Sequence, residues 1–307
     1  MHANDLFETI TAQLIADIEA GAGTWRMPWH RLADTGAPIS ADGRAYRGLN
    51  SVWLSLIGAS LGYKTGIYST YRSFQRHGAQ VRRGERGHAV ILWKPVTAAA
   101  PSDEDADATT GHRRLVARTF TVFAAEQTDG ADRLVARFAQ RRLPRDTPER
   151  LAAADAYFAA TGLQIIEGGD RAYYQPAADT IHVPALAQFD DTSMFSATIS
   201  HEACHATGHE SRLGRDLTGR FGSDAYAAEE LVAELGAAMW CAQMGISSVT
   251  RTDHASYLSS WLRILGADAR ALVTVASKAQ AAVDWLNTAA GYASVGPIGN
   301  EVEPAIA

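Results

Sequence analysis

The stretch "TISHEACHATGHESRLGRD", residues 198–216, decides how this chain is read, because it carries three histidines, His201, His205 and His209, and the carboxylates Glu202 and Glu210. His201-Glu202-Ala203-Cys204-His205 has the form HExxH, and the preceding "MFSATIS" suits a helix. On a helix, residues four apart differ by about 40° in direction and ~6 Å along the axis. Two imidazoles so placed converge on one tetrahedral ion, and the glutamate between them lands beside the ion's water. Such an ion lowers the pKa of water towards neutrality, and Glu202 is placed to take the proton. Five letters also fit two ordinary helix histidines, so the pattern needs a third ligand before it carries weight.

His209 is a poor third ligand. In the longer motif HExxHxxGxxH a glycine breaks the helix and a last histidine swings back. Here Gly208 holds the glycine position, but Ser211 holds the histidine position. Gly208 is expected to end the helix and to turn His209 towards the surface. Downstream, "DAYAAEELVAELGAAMWCAQM" (224–244) offers Glu229, Glu230 and Glu234 on one long helix. Glu230 and Glu234 are four apart and share a face, so one can ligate while the other hydrogen-bonds a ligand histidine and fixes its tautomer. Glu230 is favoured as ligand and Glu234 as its outer partner, with Glu229 a rival for the ligand position. The alternative is three solvated helix charges; against it, Leu231, Leu235, Ala238 and Met239 imply a buried face with Glu234 near its edge. The expected centre is therefore His201, His205 and Glu230 around Zn2+ or another divalent metal such as Mn2+, with Glu202 catalytic. Cys204 points away from the ligand face and reads as a small core residue. Tyr226 is within reach as an oxyanion donor, or simply packs. "DTIHV" (179–183) reads as a structural strand, or as a sheet edge on which a peptide adds; His182 is not expected to be a ligand.

Outward from this centre the pattern is α+β in two domains, a small α/β domain over residues 1–142 and a mainly helical one with a small sheet over residues 147–307. Thr147 is a candidate N-cap with Pro148 at the first helical position, predicting a helix over 148–161. Short strands follow around "LQIIEG", "RAYYQP" and "DTIHVPA", the last two joined by a turn at Ala177–Ala178, and then helices over 192–208, 224–244, 253–265 and 268–289. The tail from Gly291 reads as loose. In the first half, Phe7, Ile10, Leu14 and Ile18 recur at helical spacing up to Gly21. Two strand-like runs, "HAVILWKPV" and "RLVARTFTVFAAEQ", flank an acidic loop over 96–113. A chain of 307 residues suits two domains, and it has no apolar run long enough to cross a bilayer. The N-terminus has acids where a signal peptide needs bases, and two cysteines are too few for a disulfide framework. No membrane partner and a cytoplasmic location are expected.

Charge divides the chain as the elements do. Residues 20–97 hold 11 Lys/Arg against 3 acids, a balance of +8, whereas residues 141–307 hold 12 against 20, a balance of −8. In the basic part, aromatics and cations interleave: Trp25, Arg26, Trp29, then "GRAYRGLNSVW" and "GIYSTYRSFQRHGAQVRRGERGHAVILWK". Flat rings offer faces to unstacked bases while Arg and Lys follow the phosphates, which holds a single strand without reading its sequence. Arg44, Arg47, Arg72, Arg82 and Arg83 are expected at phosphates, with Trp29, Tyr46 or Tyr71 stacking. The competing reading is an ordinary charged surface over a small core, and Trp53 and Trp93, in apolar runs, read as core in either case.

Six segments taken together resemble one family: "PWH" (28–30), "YRGLN" (46–50), "TYRSFQRHGAQVRRGERG" (70–87), "VFAAEQ" (122–127), "HEACHATGHESRLGR" (201–215) and "FGSDAYAAEELVAELGAA" (221–238). In this order, over nearly the whole chain, they resemble the ArdC-type antirestriction proteins of conjugative plasmids. The resemblance implies an N-terminal domain that binds single-stranded DNA, also seen in some plasmid primases, and a C-terminal zincin-type metallopeptidase domain with a glutamate ligand. It further implies a role in shielding incoming plasmid DNA from host restriction, with a protein of the restriction system as a candidate substrate. Tyr68, where relatives often have tryptophan, and the acidic loop over 101–112 depart from the pattern. A different class of reading is a non-catalytic protein that coats DNA and keeps a structural or vestigial metal site. A metal-dependent nuclease is disfavoured, because nucleases gather several carboxylates around hard ions.

Overall fold

The computed structural model describes residues 3–21, 37–96, 114–138, 146–217, 223–247, 255–268 and 270–292. The acidic loop, Trp25, Arg26, the "PWH" segment with Trp29, and the side chain of Trp93 lie outside the described residues.

The N-terminal half begins with α1 (Ala3–Gly21), whose Leu6, Phe7, Ile10, Leu14 and Ile18 are all buried, as a helical stripe requires. Next come α2 (Leu49–Leu61), β1 (Tyr68–Ser69), α3 (Tyr71–Arg76), β2 (Gln80–Val81), β3 (His88–Val96), β4 (Arg114–Ala124), β5 (Thr128–Asp129) and α4 (Asp132–Arg137). The two strand-like runs form an antiparallel pair, His88 opposite Val122 through Val96 opposite Arg114, and β1 adds to the far side of β4. Among the described residues that leaves β3 at an edge, where unpaired backbone groups need cover. Asn50 supplies it: its side-chain amide donates to Ile91 O at 2.6 Å and its Oδ1 accepts from Ile91 N at 2.9 Å. Trp53 adds an indole N–H to Ala89 O at 3.0 Å, so it is a half-buried bridge rather than a fully buried core residue. A second small core (Ile39, Ile67, Phe74, Val81, Leu134) sits under α3, β2 and α4.

The C-terminal half has α5 (Pro148–Thr161), β6 (Gln164–Glu167), β7 (Tyr173–Gln175), β8 (Thr180–Val183), α6 (Thr192–Ala206), α7 (Asp224–Met244), α8 (Ala255–Ala267) and α9 (Ala271–Ala289). Thr147 caps α5 by accepting from Arg150 N, with Pro148 in the first turn, and Gly162 closes it in the left-handed conformation. β8 lies at the centre of its sheet, parallel to β6 and antiparallel to β7. "DTIHV" is thus no edge; both of its sides are already paired.

The largest apolar core runs across both halves. α1, Leu49, Val52, Leu56 and Ile91 pack in one cluster with α5, α6, α7 and α9. Two polar contacts reinforce this seam: Arg47 pairs with Asp284 of α9, and Gly48 N donates to Gln280 Oε1 at 3.0 Å. Gly48 has φ 53° and ψ −133°, a conformation that only glycine adopts without strain. Among the described residues, no helix is long and apolar enough to cross a membrane.

Candidate metal centre

α6 starts cleanly because Asp191 accepts hydrogen bonds from Ser193 N at 2.6 Å and Met194 N at 3.3 Å. α7 starts at Ser223, whose hydroxyl accepts from Tyr226 N, and stops at Gly245 in the left-handed conformation. The two helices pack against each other through small residues. A Cβ added to Gly236 of α7 would sit 2.6 Å from Cys204 Sγ, so the glycine permits this close crossing. Cys204 itself is fully buried, points at α7 away from the imidazoles, and burial pushes its thiol up to about 12, which leaves it unreactive.

On the opposite face of α6, His201 Nε2 and His205 Nε2 approach to 3.2 Å. Glu230 faces both, with Oε2 3.5 Å from His201 Nε2 and Oε1 3.5 Å from His205 Nε2. One donor atom from each of these residues lies within 4.8 Å of the others, the spread of a set that holds one cation. Behind them, Glu234 Oε2 is 3.4 Å from His201 Nδ1, and Glu229 Oε1 is 3.3 Å from His205 Nδ1. Climbing α6 from 201 to 205 means descending α7 from 234 to 229, so the two helices run antiparallel. The three glutamates take different places: Glu230 fronts the ring nitrogens that face inward, while Glu234 and Glu229 each back one ring. Glu202, which directly follows His201 in the helix, is buried, 3% exposed.

The charges are strongly coupled. Burial alone would push the His205 imidazolium down, but Glu229, Glu230 and Glu202 outweigh it and raise its pKa to about 10. Burial would likewise raise Glu230, yet the two histidines hold it well below the usual carboxylate range. Glu229 is held low by His205 and Arg215 against the same burial.

His209 stands apart, its Nδ1 accepting from Ser211 N at 3.2 Å. Gly208 does not act as a left-handed cap. The helix ends at Ala206, and a Cβ on Gly208 would meet Leu217 Cδ2 at 2.9 Å, His205 O at 3.0 Å and Arg215 Nη2 at 3.1 Å. Its glycine gives room to the chain folding back over the helix end. His182 is also remote from the cluster, stacked on Tyr173 with ring centroids 4.6 Å apart. Sequence reasoning missed Arg215, and it missed Arg212, which grips both oxygens of Asp179 at 2.7 Å each and lies over the Trp285 ring. Neither arginine has a periodic signal; both act from a loop.

The residues expected at DNA divide into two groups. Tyr46 is buried and its hydroxyl donates to Tyr68 O at 3.0 Å, so it has no ring face for a base. Arg47 is engaged with Asp284, and Arg82 with Glu85, Glu126 O and Thr128 O. Tyr46 and Arg47 are taken up by the core and the seam, because an aromatic or a cation serves these as readily as a nucleic acid, whereas Arg82 makes its bonds with a side chain still 43% exposed. Arg44, Arg72 and Arg83 are exposed, and Tyr71 is 41% exposed with its hydroxyl accepting from Gln80 Nε2 at 2.8 Å.

Comparison with known proteins agrees with this architecture. Residues 4–123 match the N-terminal domain of the anti-restriction factor ArdC, and residues 152–278 match a zincin-like metallopeptidase domain. The chain is 43% identical over 288 residues to the uncharacterised protein y4eC of Sinorhizobium fredii, covering 92% of each. It is 33% identical over 294 residues to a DNA primase TraC of Escherichia coli, covering 91% of this chain and 27% of that protein. Among solved structures, the metal-free crystal structure of the antirestriction protein ArdC from plasmid R388 superposes with a TM-score of 0.76 at 37% identity, covering 94% of this chain and 98% of that one. The Mn(II)-bound structure of the same protein gives 0.73 at 35% identity, covering 93% and 98%.

Proposed function

Since this chain belongs to the ArdC family of antirestriction proteins, we propose that it joins single-stranded-DNA binding in its N-terminal half to a metal-dependent peptidase centre in its C-terminal half. The observation that carries the proposal is the convergence of His201 Nε2, His205 Nε2 and a Glu230 oxygen within 4.8 Å, with Glu202 on the same helix. Two imidazoles and one carboxylate are the protein donor set of a catalytic zinc site, and the Mn(II)-bound relative shows a family member that takes a divalent metal. Zinc or manganese is the proposed metal, and His201, His205 and Glu230 the residues that hold it. Such an ion, when bound, polarises a carbonyl and acidifies water.

The chain's own groups supply the rest. Glu202 takes the proton of the attacking water and hands it to the leaving amine. Glu229 accepts from His205 Nδ1–H, and Glu234, 3.4 Å from His201 Nδ1, is the nearby carboxylate placed to do the same for His201, an arrangement that keeps the Nε2 lone pairs facing inward. In the other half, exposed Arg44, Arg72 and Arg83 with the Tyr71 ring provide phosphate and stacking contacts for a strand bound without regard to sequence. Trp29, outside the described residues, completes the proposed set. The biological role is protection of incoming DNA in the cytoplasm, with a protein of the host restriction system as substrate.

The test is metal content by mass spectrometry on the purified protein and on Glu230→Ala, Glu229→Ala and Glu234→Ala. Only the Glu230 variant is expected to lose the metal outright; retention there removes the ligand assignment. Glu202→Gln should keep the metal and lose peptide hydrolysis. If that variant still protects DNA fully, protection comes from coating alone. Affinity for single strands should fall steeply with salt, and a salt-independent affinity would refute the DNA reading.

A further inference from the structure

A buried guanidinium lies behind the metal centre and has no part in the chemistry above. Arg215 comes from the loop after α6, yet its side chain is only 6% exposed. Its Nε and Nη2 donate to the two oxygens of Glu229 at 3.0 and 2.8 Å. Nη2 also donates to Cys204 O at 2.7 Å, and Nη1 to Thr207 Oγ1 at 2.8 Å. Glu229 in turn stands 3.3 Å from His205 Nδ1. Gly208 leaves the space that this guanidinium fills, since a Cβ there would lie 3.1 Å from Nη2.

We propose that Arg215 is a positioning residue of the metal centre: it fixes Glu229, and through Glu229 the ring orientation of His205. This inference rests on the metal-centre reading. The physical argument is one of freedom. A glutamate side chain turns about three bonds, and a single contact to an imidazole does not select one rotamer. A guanidinium fork gripping both oxygens removes that freedom and sets the plane of the carboxylate. The fork is itself locked by Cys204 O and Thr207, both at the end of the helix that carries His205. Helix end, arginine, glutamate and imidazole thus close a ring, and His205 cannot rotate without breaking a buried ion pair. Partners bonded directly to a ligand histidine, as Glu229 is, typically change metal affinity by about 10–100-fold when removed, and Arg215, one contact further out, acts at the lower end of that range.

A competing role is purely structural: a cation capping the last carbonyls of α6. The two roles separate in a double-mutant cycle. If Arg215 acts through Glu229, its removal costs metal affinity only while Glu229 is present. If it merely caps the helix, the loss of stability is the same with or without Glu229, and metal affinity moves little.

The experiment uses the full chain, stripped of metal and titrated with Zn2+ and separately with Mn2+ against a chromophoric chelator, with melting of the apo forms in parallel. Arg215→Met should weaken affinity about tenfold, Arg215→Lys less, and Arg215→Met/Glu229→Gln no more than Glu229→Gln alone. Wild-type affinity in Arg215→Met, or losses that multiply in the double variant, would overturn the inference. Should the methionine variant not fold, Arg215→Lys with and without Glu229→Gln makes the same comparison. A wild-type protein that binds neither metal removes the metal centre and this inference together. Metal bound by the wild type, lost in Glu230→Ala and unchanged in Arg215→Met removes this inference alone.

Discussion

Replacing Gly236 by alanine is expected to damage the metal centre from behind, without touching any group that faces the cation. The added Cβ would stand 2.6 Å from Cys204 Sγ and 3.5 Å from Cys204 Cβ. Ordinary contact between such atoms is about 3.5–4.0 Å, so the sulfur is roughly 1 Å too close while the Cβ is comfortable. The thiol has little room to turn away, because Cys204 is 0% exposed and one of its χ1 wells is closed on a helix. Overpacking of this kind costs about 1–3 kcal/mol. Against it, alanine gains ~1 kcal/mol over glycine as a helix former. The net loss, between roughly 0 and 2 kcal/mol, corresponds to ~2–4 °C of melting temperature per kcal/mol in a body of this size.

Stability alone therefore decides little; the direction of the displacement decides more. If α7 is pushed off α6, Glu230 withdraws from imidazoles that it faces at 3.5 Å. A site loosened by about 1 Å loses its preorganisation, and metal affinity should fall on the order of tenfold. Cys204→Ala removes the offending sulfur and leaves only the tolerable 3.5 Å contact. Gly236→Ala/Cys204→Ala should thus recover most of the affinity, although Cys204→Ala alone costs about 1 kcal/mol as a small cavity. The assay is metal titration and apo melting on the four proteins of the cycle. A Gly236→Ala variant with unaltered metal affinity, or a double variant as weak as the single one, would refute the close-crossing argument.

Three further outcomes can be checked independently. Arg212 holds the Asp179 carboxyl below its ordinary 3.8, so that ion pair contributes fully above 3.8 and fades as pH falls through the depressed value; the melting temperature of Asp179→Asn should therefore fall less between pH 5 and pH 3 than that of the wild type. Tyr46→Phe should lower stability by about 1 kcal/mol through the lost buried hydrogen bond and leave DNA affinity alone, whereas Tyr71→Ala should weaken single-strand binding by ~1–3 kcal/mol in fluorescence anisotropy. Asn50→Ala, which uncovers both backbone groups of Ile91 at the β3 edge, should cost on the order of 1–3 kcal/mol in denaturant unfolding with DNA affinity per folded molecule unchanged.

Much of the fold was legible because its signals are local. Caps and periodicity carry α5 and α6, predicted over 148–161 and 192–208 and found at Pro148–Thr161 and Thr192–Ala206. The last two helices lie within three residues of their predicted bounds. The long β3–β4 pair was visible as two apolar runs, but β1, β2 and β5 have two residues each and leave no pattern to read. In the segment "YRGLN" Tyr46 and Arg47 were expected at DNA, and the bonds they make inside the fold were not legible for a different reason. Tyr46, Arg47, Gly48 and Asn50 have the composition of a nucleic-acid contact, yet each serves the core, the α9 seam or the β3 edge. Composition reports which groups are available, and only the tertiary structure shows which have been used.

The choice between Glu229 and Glu230 was illegible for a reason that lies in α7. A helix with one apolar stripe announces its own rotation, since the stripe must face inward. α7 does not: from Glu230 to Ala242 every residue is buried, because α6, α8 and α9 surround it. Neighbouring residues on a helix differ by about 100° in direction, and with no apolar stripe to exclude a rotation of that size the sequence leaves Glu230 and Glu229 equally placed for the imidazoles. What fixes the rotation is contact, chiefly the crossing at which Gly236 admits Cys204, together with the Arg215 fork that holds Glu229 to the outer side of His205. Both devices join residues more than ten positions apart in the chain, and Gly236, Arg215 and Glu229 all lie outside the five-letter motif. The motif names two of the three groups that face one another, and the packing of small residues behind them selects the third.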